Sequence, residues 1–428
     1  MKATRVEQQI ICKSHPLWKT IDEMCFNAKN LYNYAMYIIR QEYIKSGKYI
    51  KYYDMNFKVS SSALYSRLVN ASKVLANKNV LPILDCFLFD IKDGHITLTA
   101  SDGEKYFITQ VPVIEHDGDA RICINAKTIM DSIKELAEQP ISLGFNPSNM
   151  TIIGRHSNGT FTLSGMDASV FPLPPALSPD STQITLPSQV LLDGINRCLF
   201  ATANDQVRLA MNGIYLDIHP DCIIFASTDS RKLVKSTNTT VQSGISAGII
   251  IHKKVAAILK AVISKDEEDI KLTFDKQRAS IETSDSTMHF RLIEARYPNY
   301  NGVIPTDNPY TVEVDRLSMV GALKRISIFC SQSTGMITLM LGNNNLTLKG
   351  TSDDYSSNAE EYITCEYTQQ PISVNFSCHF LLEIVSILDC ENVTLNLAAD
   401  VSRPGLIFPS IQDETDSVLM LLMPMKRE

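Results

Sequence analysis

The hydrophobic pattern along the chain switches between two periods, and the switches recur. Alternating apolar and polar positions, as in a half-buried strand closed by turn formers, appear in HITLTASDGEKYFI from His95, CIIFASTDSRKLVK from Cys222 and LTLKGTSDDYSSNAEEYI from Leu346. The aspartates that open the three turns, Asp102, Asp229 and Asp353, lie 127 and 124 residues apart. Helical spacing recurs in step: SSSALYSRLVNASKVLAN from Ser60, LPSQVLLDGINRCLFATAN from Leu186 and VDRLSMVGALKRISIFC from Val314. A second set follows in each unit, from Ile124, Ile251 and Phe376, and each segment opens with a polar residue able to cap a helix.

Repetition at this period points to tandem domains rather than short stacked repeats. Each unit of about 125 residues holds two helices, each with several short strands, and is itself roughly a doubled half-unit. Proline-rich connections, FPLPPALSPDST from Phe171 and YPNYNGVIPTDNPY from Tyr297, separate the units. The expected fold is α+β: three similar domains over residues 55–180, 181–306 and 307–428, each with two helices on antiparallel sheets.

Residues 1–54 differ in composition from the rest. They hold the single tryptophan, Trp18, and seven tyrosines, with nine Lys or Arg against five Asp or Glu. The segment is therefore net positive by about 4, whereas the whole chain carries −7. Apolar positions from Pro16 to Ile44 predict one or two amphipathic helices, hence a short basic helical appendage. Such a piece can bind RNA by stacking and phosphate contact, or it can be a solvated appendage without activity.

Composition narrows the function classes. With 428 residues and 44% hydrophobic content, the chain suits a multi-domain globular protein. No apolar run approaches the roughly 20 residues that cross a bilayer, so neither membrane span nor signal peptide is expected. The ten cysteines are scattered without metal-ligand spacing, which suggests reduced core thiols in a cytoplasmic protein and no metal or other cofactor. The eight histidines stand singly, and none lies beside a GxSxG, HExxH or Walker-type loop, so no catalytic residues are assigned. The net negative charge argues against coating of nucleic acid by the whole surface, but leaves room for a local basic face.

Four separated words carry a family resemblance: MNFKVSSSALYSRLVNASKVLANKNVLPILDCFLF from Met55, DQVRLAMNGIYL with STDSRKLV from Asp205 onward, RYPNYNGVIP from Arg296 and LMLLMPMK from Leu419. Together they resemble the bacterial DNA polymerase III beta subunits, the DNA sliding clamps, over residues 55–428. The resemblance implies the DNA clamp fold and a non-enzymatic processivity factor: a head-to-tail homodimeric ring that encircles duplex DNA regardless of sequence. Its implied partners are the replicative polymerase alpha subunit, the clamp loader and other proteins bearing a clamp-binding motif. Enclosure suits a protein that must stay on DNA yet slide, because tight phosphate contacts would be barriers to motion.

The resemblance also implies sites. An apolar peptide cleft would be formed by Met211, Thr228, Ser230, Lys232, Leu233, Pro298, Val303, Leu421, Met423, Pro424 and Met425, although read alone MLLMPM is a buried edge strand. Methionines suit a cleft that accepts many partners. Lys78, Lys127, Lys134, Lys253 and Lys254 would face DNA, or else sit on solvated helix faces. Phe161 and Leu163 would meet Ile328 and Phe329 of a second copy, or be ordinary core residues. Leu209 and Ala210 stand where the family often has tyrosines, Ser230 where it often has glycine, and Gly302 where it often has a basic residue. Residues 1–54, in KSHPLWKTIDEMC and KNLYNYAMYIIRQEYIKSGKYIKYYDM, resemble the start of transposon-encoded OrfB-type proteins, relatives of RNA-guided nucleases. The alternative this raises is a non-functional or altered fusion.

Overall fold

The computed structural model describes residues 26–30 and 55–428, apart from 77, 147–148, 265–268, 332, 353–356, 401 and 427–428. The appendage thus lies outside the described residues except for helical residues 26–30, and so does Asp353.

One unit, strand–helix–three strands, occurs six times. In the first domain, strand Met55–Ser60 leads to helix α1 (Ser61–Ser72) and strands Cys86–Lys92, His95–Ser101 and Tyr106–Pro112. Strand Ala120–Asn125 leads to α2 (Ala126–Ile133) and strands Pro140–Asn146, Thr151–His156 and Gly159–Met166. The second domain repeats this around α3 (Ser188–Cys198) and α4 (Lys253–Val262), and the third around α5 (Arg316–Ile326) and α6 (Cys378–Ile387). In each domain the first strand of one half pairs antiparallel with the other half, as Met55–Ser60 does with Pro140–Asn146 and Cys86–Lys92 with Ala120–Asn125. The halves are therefore interlocked, and the two helices of each domain pack against each other.

Local chemistry explains the repeats. Asp102 Oδ1 accepts from the amides of Glu104 (3.1 Å) and Lys105 (2.8 Å), and Asp229 Oδ1 accepts from those of Arg231 and Lys232 (both 2.9 Å). An aspartate that closes its own turn in this way is why the residue recurs at one spacing. Side-chain caps from Ser60, Asn125, His252, Asp315 and Ser377 start five of the helices. Helix α3 starts instead behind Pro187 with no side-chain cap bond. It can nevertheless lie close on its sheet because Gly194 has no Cβ, which would sit 2.5 Å from the Phe225 ring.

The domains join edge to edge. Strand Tyr106–Pro112 of the first pairs with Ser286–Arg291 of the second, and Lys232–Asn238 of the second pairs with Asp416–Leu422 of the third. In both places the last strand of a first half meets the last strand of the next domain's second half. The two remaining strands of these kinds are Ser357–Thr364 and Gly159–Met166. Among the described residues the former pairs only with Asn345–Ser352, and the latter pairs along its length with Thr151–His156 and at Gly165 and Met166 with Ala120–Asn125.

Candidate binding cleft

At the junction of the second and third domains a cleft of about 260 Å³ opens beside the Asp229 turn. Its floor is Leu233 and Leu421, which face each other across the joined strands, and its walls include Met211, Met423, Pro298 and Val303. Thr228, Ser230 and the stem of Lys232 complete the expected set, so nine of the eleven cleft candidates come together. Pro424 and Met425 do not line it; the Met425 amide instead donates to the Asn375 carbonyl (2.7 Å).

Two tyrosines that sequence reading passed over hold the linker side. Tyr297 stacks on Tyr215 with ring centroids 4.8 Å apart, and the Tyr300 hydroxyl donates to Asp217 Oδ2 (2.7 Å). Burial and the Asp217 carboxylate push the Tyr300 phenol well above its ordinary value, so it stays a donor. Their signal was present as the Tyr-Pro-Asn-Tyr spacing, which places Pro298 between two buried rings.

Lys232 has a different task from the one its position suggests. Its side chain is only 5% exposed, and its ammonium reaches Glu383 Oε2 of α6 (2.6 Å) while lying 4.4 Å from the Phe380 ring centroid and 5.0 Å from that of Phe200. The charge therefore ties the second domain to the third, and the cleft sees only the methylene stem. At the mouth, Arg208 Nε donates to Asp205 Oδ2 (2.8 Å) and its Nη1 to the Ser230 hydroxyl.

The remaining candidates divide by environment. Lys78, Lys127, Lys134 and Lys254 are exposed on or beside α1, α2 and α4. Lys253 is half-buried and donates to the Ala203 carbonyl (2.7 Å), which commits its ammonium within the domain. Exposed Lys260 on α4 and Lys324 on α5 are cations that sequence reading did not single out. Ile328, 78% exposed, and Phe329 follow the end of α5. Leu163 is packed in the first domain's core, and Phe161 lies half-buried across Gly154, where a Cβ would meet its ring at 2.0 Å. Of the four interface candidates, Leu163 thus follows the core reading within a single chain. Among the described residues no group of three or more His, Cys, Asp or Glu is placed to hold a metal ion. No described helix is long and apolar enough to cross a membrane, and the eight described cysteines are free thiols.

Comparison with known proteins adds a family. Profiles described as the N-terminal, central and C-terminal domains of the DNA polymerase III beta subunit match residues 55–175, 185–299 and 301–426. A beta sliding clamp of Staphylococcus aureus is 23% identical over 380 residues, covering 87% of this chain and 99% of that protein. Among solved structures, a sliding clamp from Pseudomonas aeruginosa bound to griselimycin aligns with TM-score 0.82 and 22% identity, covering 87% of this chain and all of that one. The DNA polymerase III beta subunit of Thermotoga maritima aligns with TM-score 0.79 and 24% identity at the same coverage. These likenesses give the three-domain clamp fold.

Proposed function

Since this chain belongs to the DNA polymerase III beta subunit family, we propose that it is a sliding clamp, a non-catalytic ring that encircles duplex DNA and tethers the replicative polymerase through the cleft at Met211 and Met423. The observation that carries this reading is the pair of unsatisfied edges. Two of three equivalent junctions are closed within the chain, and the third needs Ser357–Thr364 of one copy beside residues 159–164 of another, the part of that strand that Ala120–Asn125 leaves unpaired. An open strand edge is a template for pairing, and two copies joined head to tail use all four such edges.

In that ring the six helices turn inward, and exposed Lys78, Lys127, Lys134 and Lys254 meet phosphates loosely, while Lys253 contributes through packing. Retention then comes from enclosure. The apolar cleft suits a short peptide whose few buried anchors supply most of its affinity, and the clamp loader and other clamp-binding proteins use the same surface. We place the domain limits near residues 180 and 306, within the proline-rich connections, and the protein in the cytoplasm. Residues 1–54, by their OrfB-type resemblance, are an appendage carried by the clamp. Light scattering on the full chain tests the assembly. Twice the 47.8 kDa chain mass is expected, and Ile328→Asp with Phe329→Asp, both on exposed side chains, should return it to one chain; a wild-type monomer overturns the reading.

A further inference from the structure

The turn at the cleft mouth is built on an unfavourable residue. Ser230 has φ +78°, in the left-handed region that L side chains rarely adopt. The chain shows that glycine serves there. In the first domain the residue after the equivalent aspartate is Gly103, at φ +93°, and the same bonds close that turn. The turn therefore has no need of a side chain at this place, and the serine is held against a conformational cost. Backbone strain that persists where a cheaper residue fits points to a use for the side chain.

The use is visible in what the hydroxyl touches. Ser230 Oγ accepts from Arg208 Nη1 and lies 3.5 Å from Met211 Sδ, so it joins the loop at residues 205–208 to the cleft wall. Asp205 holds the other edge of the guanidinium, at 2.8 Å from both Nε and Nη2. Of the other cations that line the cleft, Lys232 is committed to Glu383. Arg231 is exposed beside Ser230. An arginine held by Asp205 at Nε and Nη2 and by Ser230 at Nη1 keeps one N–H on each terminal nitrogen, a preorganised pair of donors for a planar carboxylate at the end of an otherwise apolar cleft.

We propose that Ser230 is a positioning residue that fixes Arg208 over the cleft mouth, so that the site selects peptides carrying a carboxylate side chain beside their apolar anchors. This rests on the peptide-cleft reading above. Selection arises because the guanidinium is already ordered before the peptide arrives, which removes part of the ordering cost of binding. The equivalent pocket at the first junction has glycine at this place and lacks the grip.

The test uses the full chain and two fluorescein-labelled capped pentapeptides with leucine anchors that differ only in one glutamate or glutamine. Wild type should bind the glutamate peptide at least fivefold more tightly. Ser230→Gly should cut that preference below twofold while leaving the glutamine peptide within twofold of wild type, and Ser230→Ala should do the same, so neither result is a folding defect of one variant. Arg208→Gln should abolish the preference. An unchanged preference in both Ser230 variants, or none in wild type, overturns the proposal. If neither peptide saturates wild type and Met423→Ala changes nothing, the peptide-cleft reading itself has failed.

Discussion

The two junctions inside the chain share a backbone plan and differ in what they can hold. At each, an aspartate-closed turn, a proline-containing linker and two paired strand ends surround a cavity. At the second junction the register pair Leu233 and Leu421, with Met423 two residues on, makes an apolar cleft of about 260 Å³. At the first, the corresponding pair is Tyr106 and His289, with Arg291 two residues on, and the cavity shrinks to about 130 Å³. Burial keeps His289 below the ordinary imidazole value, and Arg291 is paired with Glu294 (2.9 Å). The comparison teaches that the fold supplies a junction, and a few side-chain exchanges turn one junction into a docking cleft.

The junctions also differ in how charge secures them, and this gives the largest expected effect. Lys232–Glu383 is buried at the lysine end, whereas Arg67–Asp285 at the first junction has both partners partly exposed. Glu383→Ala should cost about 3 kcal/mol by leaving a buried ammonium with only the Asp229 carboxylate, at 4.0 Å, and Asp285→Ala no more than about 1 kcal/mol. Denaturant unfolding of the full chain measures both, and equal losses would dissolve the distinction.

Next in size is peptide binding. Met423→Ala should weaken an apolar-anchored peptide about tenfold, or roughly 1.4 kcal/mol, by removing buried thioether area. Arg291→Ala, the matching change at the first junction, should leave that affinity unaltered. Fluorescence titration compares the two, and a matching loss in Arg291→Ala would show that both cavities bind.

A smaller pair of changes swaps the turns. Ser230→Gly should gain, and Gly103→Ser lose, about 1 kcal/mol of stability through backbone strain alone. A Cβ at Gly103 has room, its nearest neighbour being Leu84 Cδ1 at 3.7 Å. Thermal melts that move in the same direction for both variants would refute this.

The smallest effect depends on pH and belongs to the cleft mouth. The amides of Arg208 and Val207, with the Arg208 guanidinium, hold Asp205 down to about 2, against roughly 3.9 for the unfolded residue. A depressed carboxylate contributes fully above its unfolded value and loses that contribution as pH falls through its folded one. The amides of 207 and 208 should therefore lose protection from hydrogen exchange, after correction for intrinsic rates, as pH drops from 4 towards 2. Constant protection over that window would disprove the role given to Asp205.

Much of this was legible before any coordinates. The Asp102 and Asp229 turns repeat because each is closed by its own side chain, and local chemistry of that kind shows in sequence. The helices showed through spacing and caps, and among α1 to α6 only α3, behind Pro187, starts without a side-chain cap. Non-local matters were not legible. Lys232 and Glu383 are 151 residues apart, and nothing local marks that pairing. Sheet continuity across junctions depends on which edge meets which, so alternation in Gly159–Met166 could not tell a core position at Leu163 from an interface one. The cleft was recognised through word resemblance, which also included Pro424 and Met425, two residues outside the cavity's lining.

The central claim is that retention on DNA comes from a closed two-chain ring, and loading it on DNA tests this most directly. The full chain would be placed on nicked circular duplex with clamp loader, ATP and magnesium, and half the sample linearised before gel filtration. Co-elution with circles and loss from the linear molecules is the result expected; equal retention, or equal loss, on both would contradict the account.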